Sequence, residues 1–332
     1  MTSKRKATDS QGPNSDFCDF LLELADYERN VNRNIHKYNA YRTAASSLSK
    51  HPVRIKSGKE ARELKGVGEK IADKIDEFIS SGKLRKLEEI RKDDTSQAIT
   101  LLTKISGIGP AAAQKLVKEG IMNIEDLKKN TEKLNHHQKI GLKYFEDFEK
   151  KIPREEMEVL EKKIIELCKQ ADKDYLVTIC GSYRRGLKES GDIDVLVTHP
   201  SYSSTDPKKP KLLKEIIEKM EKAQFVKETL SLGDAKFMGV CCLQDDYPFR
   251  RIDIRIFPND QYFCATLYFT GSNLFNQQMR SHAIEKGFTL NEYCIRPIGS
   301  RGNPGESLPV SSEKEIFEYI DYPYKEPHER NI

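Results

Sequence analysis

The chain has 332 residues, of which 33% are charged and 37% apolar, with a formal net charge of +4 and seven cysteines. That length suits two to four small domains. No run reaches the roughly 18 apolar residues of a membrane helix, and the N-terminus lacks the apolar core of a secretory signal, so the sequence argues against a membrane or exported protein.

The cysteines form no CxxC pair, which argues against a zinc ribbon and leaves reduced thiols as the expectation. Charge is spread unevenly. Through Arg91 there are 19 Lys and Arg against 14 Asp and Glu, a net +5, so the remainder carries about −1. A basic module in a balanced chain is the electrostatic footprint of polyanion binding, or else a solvated face.

Residues 1–15 are too polar to sustain a core and read as a flexible tail. Its Lys4-Arg5-Lys6 triplet fits either a fragment of a nuclear address or a plain solvated segment. From Phe17 to about Ile90 the apolar residues recur at helical spacing, as in Phe17, Phe20, Leu21 and Leu24, then Ile71, Ile75, Phe78 and Ile79. A second helical block runs from about Ser96 to Lys150, and Pro153 introduces a helix from Arg154 to about Lys169.

Near Tyr175 the period shortens. LVTIC, DIDVLVT, RIDIRIF and CATLYFT are short, rich in β-branched or aromatic residues and bounded by Gly, Pro or Asp, so all four are predicted as strands. A helix from about Lys211 to Lys222 separates two of them. Loops are expected at 201–211 and 299–309, where Pro, Gly, Ser and Lys concentrate. The expected fold is multidomain, an all-α half followed by an α+β half.

Two segments of the first half share one grammar. Leu64-Lys65-Gly66-Val67-Gly68 and Ile105-Ser106-Gly107-Ile108-Gly109-Pro110 each precede a helix, and both resemble helix-hairpin-helix motifs. Gly66, Gly68, Gly107 and Gly109 permit a tight turn, and the helix N-terminus behind each offers donors and partial positive charge to a phosphate. Pro110 suits the first helical turn. Such contacts hold a nucleic-acid backbone without reading sequence. The resemblance further implies a Na⁺ or K⁺ ion at each hairpin, held by the carbonyls of Arg62, Leu64 and Val67 and of Thr103, Ile105 and Ile108.

The second half carries a Gly181-Ser182 turn followed by Gly191-Asp192-Ile193-Asp194. A strand period of two puts Asp192 and Asp194 on one face and sends Ile193 and Val195 to the other. In RIDIRI, Asp253 shares a face with Arg251 and Arg255. Three carboxylates that close repel unless a cation holds them, and with a triphosphate they can hold two Mg²⁺ ions about 3.5–4 Å apart. Gly181 allows close backbone approach, Ser182 a hydroxyl and Arg185 phosphate-matched donors. A glycine-serine turn, a DxD and a later strand Asp resemble the nucleotidyltransferase superfamily, a likeness that leaves the substrate open.

With the paired hairpins ahead and Tyr268-Phe269-Thr270-Gly271-Ser272 behind, the chain resembles DNA polymerase family X over nearly its whole length. Segments such as NIHKYNAYR, DKIDEF, GKLRKLE, KLNHHQKIGLKYF, CGSYRRG and NEYCIRP carry the likeness. It implies a 16–91 all-α 5′-deoxyribose-phosphate lyase domain containing the first hairpin, a 92–150 DNA-binding subdomain containing the second, a 151–260 nucleotidyltransferase catalytic subdomain and a 261–332 α+β subdomain that binds the nascent base pair.

The lyase nucleophile matches Lys74, which would form a Schiff base. Lys70 and Lys74 lie four apart on one helix face, and neighbouring cations such as Lys37 and Lys86 can lower a lysine pKa. Without the family, the residues do not choose Lys74 over Lys70. In the polymerase half the likeness places Lys151, Ser182, Arg185, Gly191 and Asp192 around a deoxynucleoside triphosphate, Tyr268 and Phe269 beside its sugar, and Tyr268–Gly271 where a 2′-hydroxyl would clash. Asn276, Arg280 and Tyr293 would reach the nascent pair and the DNA, as would Arg251. Asn273 and Gln277 depart from the Asp and Lys expected of better-known members.

The implied activity is template-directed gap filling in base excision repair with a second, lyase activity. The implied partners are gapped duplex DNA with a 5′-phosphate, deoxynucleoside triphosphates and other base excision repair proteins. The protein is expected to be a monomer, nuclear with the cytoplasm as a second location, and away from membranes.

Overall fold

The computed structural model describes residues 12–206, 211–244 and 246–332. The Lys4–Lys6 triplet and part of the expected 201–211 loop lie outside the described residues. Two compact units divide the chain, 1–142 and 143–332.

The first unit is helical: α1 (Ser15–Asn30), α2 (Ile35–Lys50), α3 (Gly58–Ala61), α4 (Glu69–Ser81), α5 (Arg85–Lys92), α6 (Asp94–Leu102), α7 (Pro110–Lys118), α8 (Ile124–Lys129) and α9 (His136–Lys143). The predicted apolar stripe is what it buries. Phe17, Leu21 and Leu24 of α1 meet Leu48 of α2, Ile71 and Ile75 of α4 and Leu87 of α5 in one core. Burying each such side chain contributes about 1.5–3 kcal/mol. Gly82 ends α4 in the left-handed conformation, φ 70°, which glycine adopts without steric penalty.

The second unit runs α10 (Phe145–Phe148), β1 (Ile152–Pro153), α11 (Arg154–Ala171), β2 (Leu176–Ile179), α12 (Gly181–Arg184), β3 (Glu189–Ser190), β4 (Ile193–Thr198), α13 (Leu212–Lys222), β5 (Val226–Leu232), β6 (Lys236–Cys241), β7 (Arg250–Ile256), α14 (Tyr262–Thr270), α15 (Asn273–Glu285), β8 (Phe288–Leu290), β9 (Ile295–Pro297) and α16 (Glu313–Tyr319). Among the described residues the main sheet has the order β2-β4-β7-β6-β5. Its β4–β7 pair is parallel and its other pairs antiparallel. Met157, Leu160 and Ile164 of α11 and Ile216 and Ile217 of α13 join Ile193, Val195, Ile252 and Ile254 in its core. A separate core forms from α14, α15, β8, β9 and α16.

One prediction fails. CATLYFT is not a strand but the body of α14, with Cys264, Ala265, Thr266 and Leu267 all buried. A helix that is apolar all round has no 3.6-residue stripe to betray it, so a short buried helix and a buried strand look alike in sequence.

Candidate active site

Parallel pairing of β4 with β7 brings the acids together. The register sets Asp194 beside Asp253, with Ile193 beside Ile252 and Val195 beside Ile254. Alternation then aims the isoleucines and valine into the core while the carboxylates share the opposite face. Asp192 sits one residue before β4. Arg251, two residues before Asp253, donates from Nη2 to Asp192 Oδ2 at 2.8 Å and lies 3.8 Å from Asp253 Oδ1.

These carboxylates are costly as they stand. Asp253 is only 9% exposed, and its Oδ1 has no hydrogen-bond partner. Burial first, then the charges of Asp192 and Asp253, push the Asp194 carboxyl up to about 7. Burial likewise raises that of Asp253, against the pull of Arg251. An orphaned buried carboxylate oxygen and mutually repelling acids are the donor set that divalent cations neutralise, so the residues fit such ions.

The turn after β2 is built against this cluster. Gly181 has φ +59°, and a Cβ there would lie 2.3 Å from Asp194 Oδ2. Glycine is therefore required twice at that position, by conformation and by space. Ser182 Oγ donates to Ser190 Oγ at 2.9 Å. A Cβ at Gly191 would be 3.5 Å from Lys151 Nζ, so Lys151 borders the same corner. Arg185 donates from Nη1 to the Thr270 carbonyl at 2.7 Å and from Nε to Asn331 Oδ1 at 2.8 Å.

Tyr268 and Phe269 stand at the end of α14, followed by Gly271 with φ +67°. Asn276 Nδ2 donates to the Tyr268 carbonyl at 2.8 Å, and the Arg280 guanidinium lies 4.9 Å from the Tyr268 ring centre while pairing with Glu292 at 3.3 Å. Tyr293 is exposed, its ring 5.6 Å from that of Phe257. Asn273 opens α15 behind the Ser272 cap, with Gln277 within the same helix.

Some residues that brace the site gave no sequence signal. Arg184 pairs with Glu313, 129 residues away, and with Thr270 Oγ1, while fully buried Arg330 donates from Nη1 to the same Glu313 Oε1 that accepts from Arg184 Nη1. Nothing in a sequence period links partners that distant.

In the first unit, half-buried Lys74 donates from Nζ to the Lys70 carbonyl at 3.2 Å. Exposed Lys37 stands 3.6 Å from Glu28, and Lys86 lies 5.1 Å from the Tyr27 ring centre. The two hairpins superimpose in conformation. Gly66 and Gly107 have φ 85° and 87°. Gly68 and Gly109 cap α4 and α7 with φ, ψ of −83°, 173° and −81°, 173°. Val67 N–H donates to the Leu64 carbonyl at 3.1 Å, and Ile108 N–H to that of Ile105 at 3.0 Å. A Cβ at Gly68 or Gly109 would meet nothing within 4 Å, so both caps face open space. Arg62 and Thr103 occupy the same place before each turn, as C-caps of α3 and α6.

Family models match along the chain in order: a helix-hairpin-helix domain at residues 12–84, the fingers domain of DNA polymerase lambda at 100–149, the DNA polymerase beta palm at 151–259 and the DNA polymerase beta thumb at 265–331. Helix-hairpin-helix, fingers, palm and thumb together make up the architecture of a beta-like DNA polymerase, and that is the fold class to which the chain belongs. Among its relatives, DNA polymerase lambda of Arabidopsis thaliana is 34% identical over 309 residues, covering 88% of this chain and 58% of the relative. DNA polymerase lambda of Rattus norvegicus is 32% identical over 322 residues, covering 93% and 55%. The chain thus spans somewhat over half the length of these relatives.

Proposed function

We propose that this chain is a template-directed DNA polymerase that fills short gaps during base excision repair. The observation that carries it is the in-register pairing of Asp194 with Asp253, with Asp192 alongside, on a palm preceded by two hairpins of the same geometry. The reaction joins the primer 3′-oxygen to the α-phosphorus of a deoxynucleoside triphosphate and releases pyrophosphate. Two Mg²⁺ ions, when held by the three aspartates, would make the attacking oxygen more acidic and stabilise the leaving oxygens. Asp253, buried beside Arg251, would complete the metal-holding trio from the neighbouring strand. Ser182, Arg185, Lys151 and the Gly191 backbone face the triphosphate, while Tyr268, Phe269 and Gly271 border its sugar and Asn276 its base.

The hairpins take the DNA backbone, with a Na⁺ or K⁺ ion on the carbonyls of each turn. In the narrower reading, a 5′-deoxyribose phosphate meets Lys74. The Lys74 amine condenses with the C1′ aldehyde, losing water to give an imine; loss of a C2′ proton then breaks C3′–O3′, so that the 3′-phosphate leaves as the 5′-phosphate of the DNA, and water hydrolyses the imine to release the sugar and restore the amine. The same segments that mark family X, NIHKYNAYR and CGSYRRG among them, point within it to a likeness to vertebrate DNA polymerase beta. The relatives and the fingers match carry the name DNA polymerase lambda, so the comparisons support a beta-like polymerase with a lambda likeness and do not single out the vertebrate beta enzyme. We read the protein as a monomer working in the nucleus, and also in the cytoplasm, beside other base excision repair proteins.

The decisive measurement is extension on a one-nucleotide-gapped duplex with and without a 5′-phosphate, which should be faster with it. Homopolymer addition to single strands without template would instead favour a terminal transferase. Asp253→Ala should abolish extension in Mg²⁺. Unchanged extension in that variant would overturn the three-aspartate mechanism, whereas no extension by the wild type would leave the chain a DNA-end scaffold. Borohydride should trap an adduct between the protein and an abasic 5′ end, and Lys74→Ala should remove it; undiminished trapping would move the nucleophile to another lysine such as Lys70.

A further inference from the structure

The antiparallel pairing of β2 with β4 sets Leu176 opposite Thr198 and Ile179 opposite Val195. Tyr175 and His199 lie just outside that first pair, with Asp174 one residue further, so Asp174 and His199 fall at the end of the strands remote from the aspartate trio. Five residues of extended chain separate Asp194 from His199, about 16 Å.

Asp172 joins them as the C-cap of α11. Its Oδ1 accepts from the Asp174 N–H at 2.9 Å, which fixes the carboxylate and leaves Oδ2 directed at His199 Nε2, 3.4 Å away. The histidine side chain is only 10% exposed, and Nε2 is buried without a hydrogen-bond partner. Tyr175 holds the ring edge-on at 5.0 Å. On the other side, Nδ1 lies 2.7 Å from Ser201 Oγ and 3.2 Å from the Ser201 N–H. One donor atom each from Asp172, Asp174 and His199 lie within 4.8 Å of one another.

We infer that Asp172, Asp174 and His199 bind a zinc-type divalent cation at a second metal site, separate from the catalytic aspartates. An imidazole with two carboxylates matches Zn²⁺ better than Mg²⁺, which takes oxygen donors and keeps its waters. The Ser201 N–H donates to Nδ1, so the neutral ring carries its proton on Nε2; binding the ion would move the ring to the other tautomer, with Nε2 giving its lone pair to the metal and Nδ1–H donating to Ser201 Oγ, the usual second-atom support of a metal-bound histidine. Water fills the remaining positions. The ion would tie the end of α11 to the end of β4.

The test is a Zn²⁺ titration of the full chain against a chromophoric zinc indicator, in excess Mg²⁺, with thermal unfolding read in parallel. Wild type and Asp253→Ala should each bind one equivalent more than His199→Gln or Asp174→Asn, and Zn²⁺ should raise Tm only where that equivalent binds. Asp174 is exposed, so Asp174→Asn decides the matter if His199→Gln fails to fold. Equal stoichiometry and equal Tm response in wild type and Asp174→Asn would overturn the site and leave a histidine–aspartate contact. Loss of the equivalent in Asp253→Ala alone would overturn it too, by placing the zinc on the catalytic trio.

Discussion

Asp194 shows how one carboxyl can couple stability to pH. Its carboxyl stands raised, at about 7, because burial and two neighbouring aspartates penalise its charge. The folded state therefore binds that proton more tightly than the unfolded chain, where an Asp titrates near ~3.9. The resulting stability is present at low pH and lost as pH rises through about 7. Without divalent metal, Tm should climb as pH falls from 8 to about 5.5, a slope that Asp194→Asn should reduce, leaving the share of the also-raised Asp253, and that Mg²⁺ should flatten by holding the carboxylates charged. Calorimetry across that range checks it; a wild-type slope unchanged in the variant would show that other groups produce it. The trio itself was legible because a period of two is written into DID and RIDIRI. Arg184, Glu313, Arg330 and Asn331 were not, since only tertiary contact defines them.

At the scale of elements, each hairpin uses its two glycines differently. Gly107 is left-handed, and a Cβ there would lie 2.7 Å from His137 Cδ2; at Gly66 it would lie 2.5 Å from Thr43 Cγ2. Gly68 and Gly109 have ordinary negative φ and open surroundings. Gly107→Ala should thus destabilise the protein by about 1–3 kcal/mol through backbone strain. Gly109→Ala should cost no more than about 1 kcal/mol yet weaken DNA binding, because its methyl stands where a phosphate must approach the α7 amides. Denaturant unfolding and anisotropy on gapped duplex separate the two effects, and full DNA affinity in Gly109→Ala would take the phosphate away from this turn. The hairpins could be read because GxG before a helix specifies conformation locally. CATLYFT could not, since nothing local distinguishes an all-buried helix from a buried strand, and it is α14 that carries Tyr268 and Phe269 to the site.

Across the whole molecule the charge is divided as the elements are. Residues 1–142 hold 27 Lys and Arg against 20 Asp and Glu, a net +7, so 143–332 carry −3. The first unit has the sign to attract a polyanion, whereas the second is slightly acidic and sets three of its acids, Asp192, Asp194 and Asp253, side by side. Affinity for gapped duplex should then come largely from phosphate contacts made by the first unit, and each contact releases condensed counterions. Between 50 and 200 mM salt, log affinity should fall linearly with log salt. Lys70→Ala, which removes one exposed cation on the helix behind the first hairpin, should reduce the slope by about 1. A comparable substitution at exposed Lys169, on α11 of the acidic second unit, should leave the slope unchanged. A flat salt response in the wild type, or equal changes for the two variants, would mean that DNA is gripped by something other than the basic helical unit.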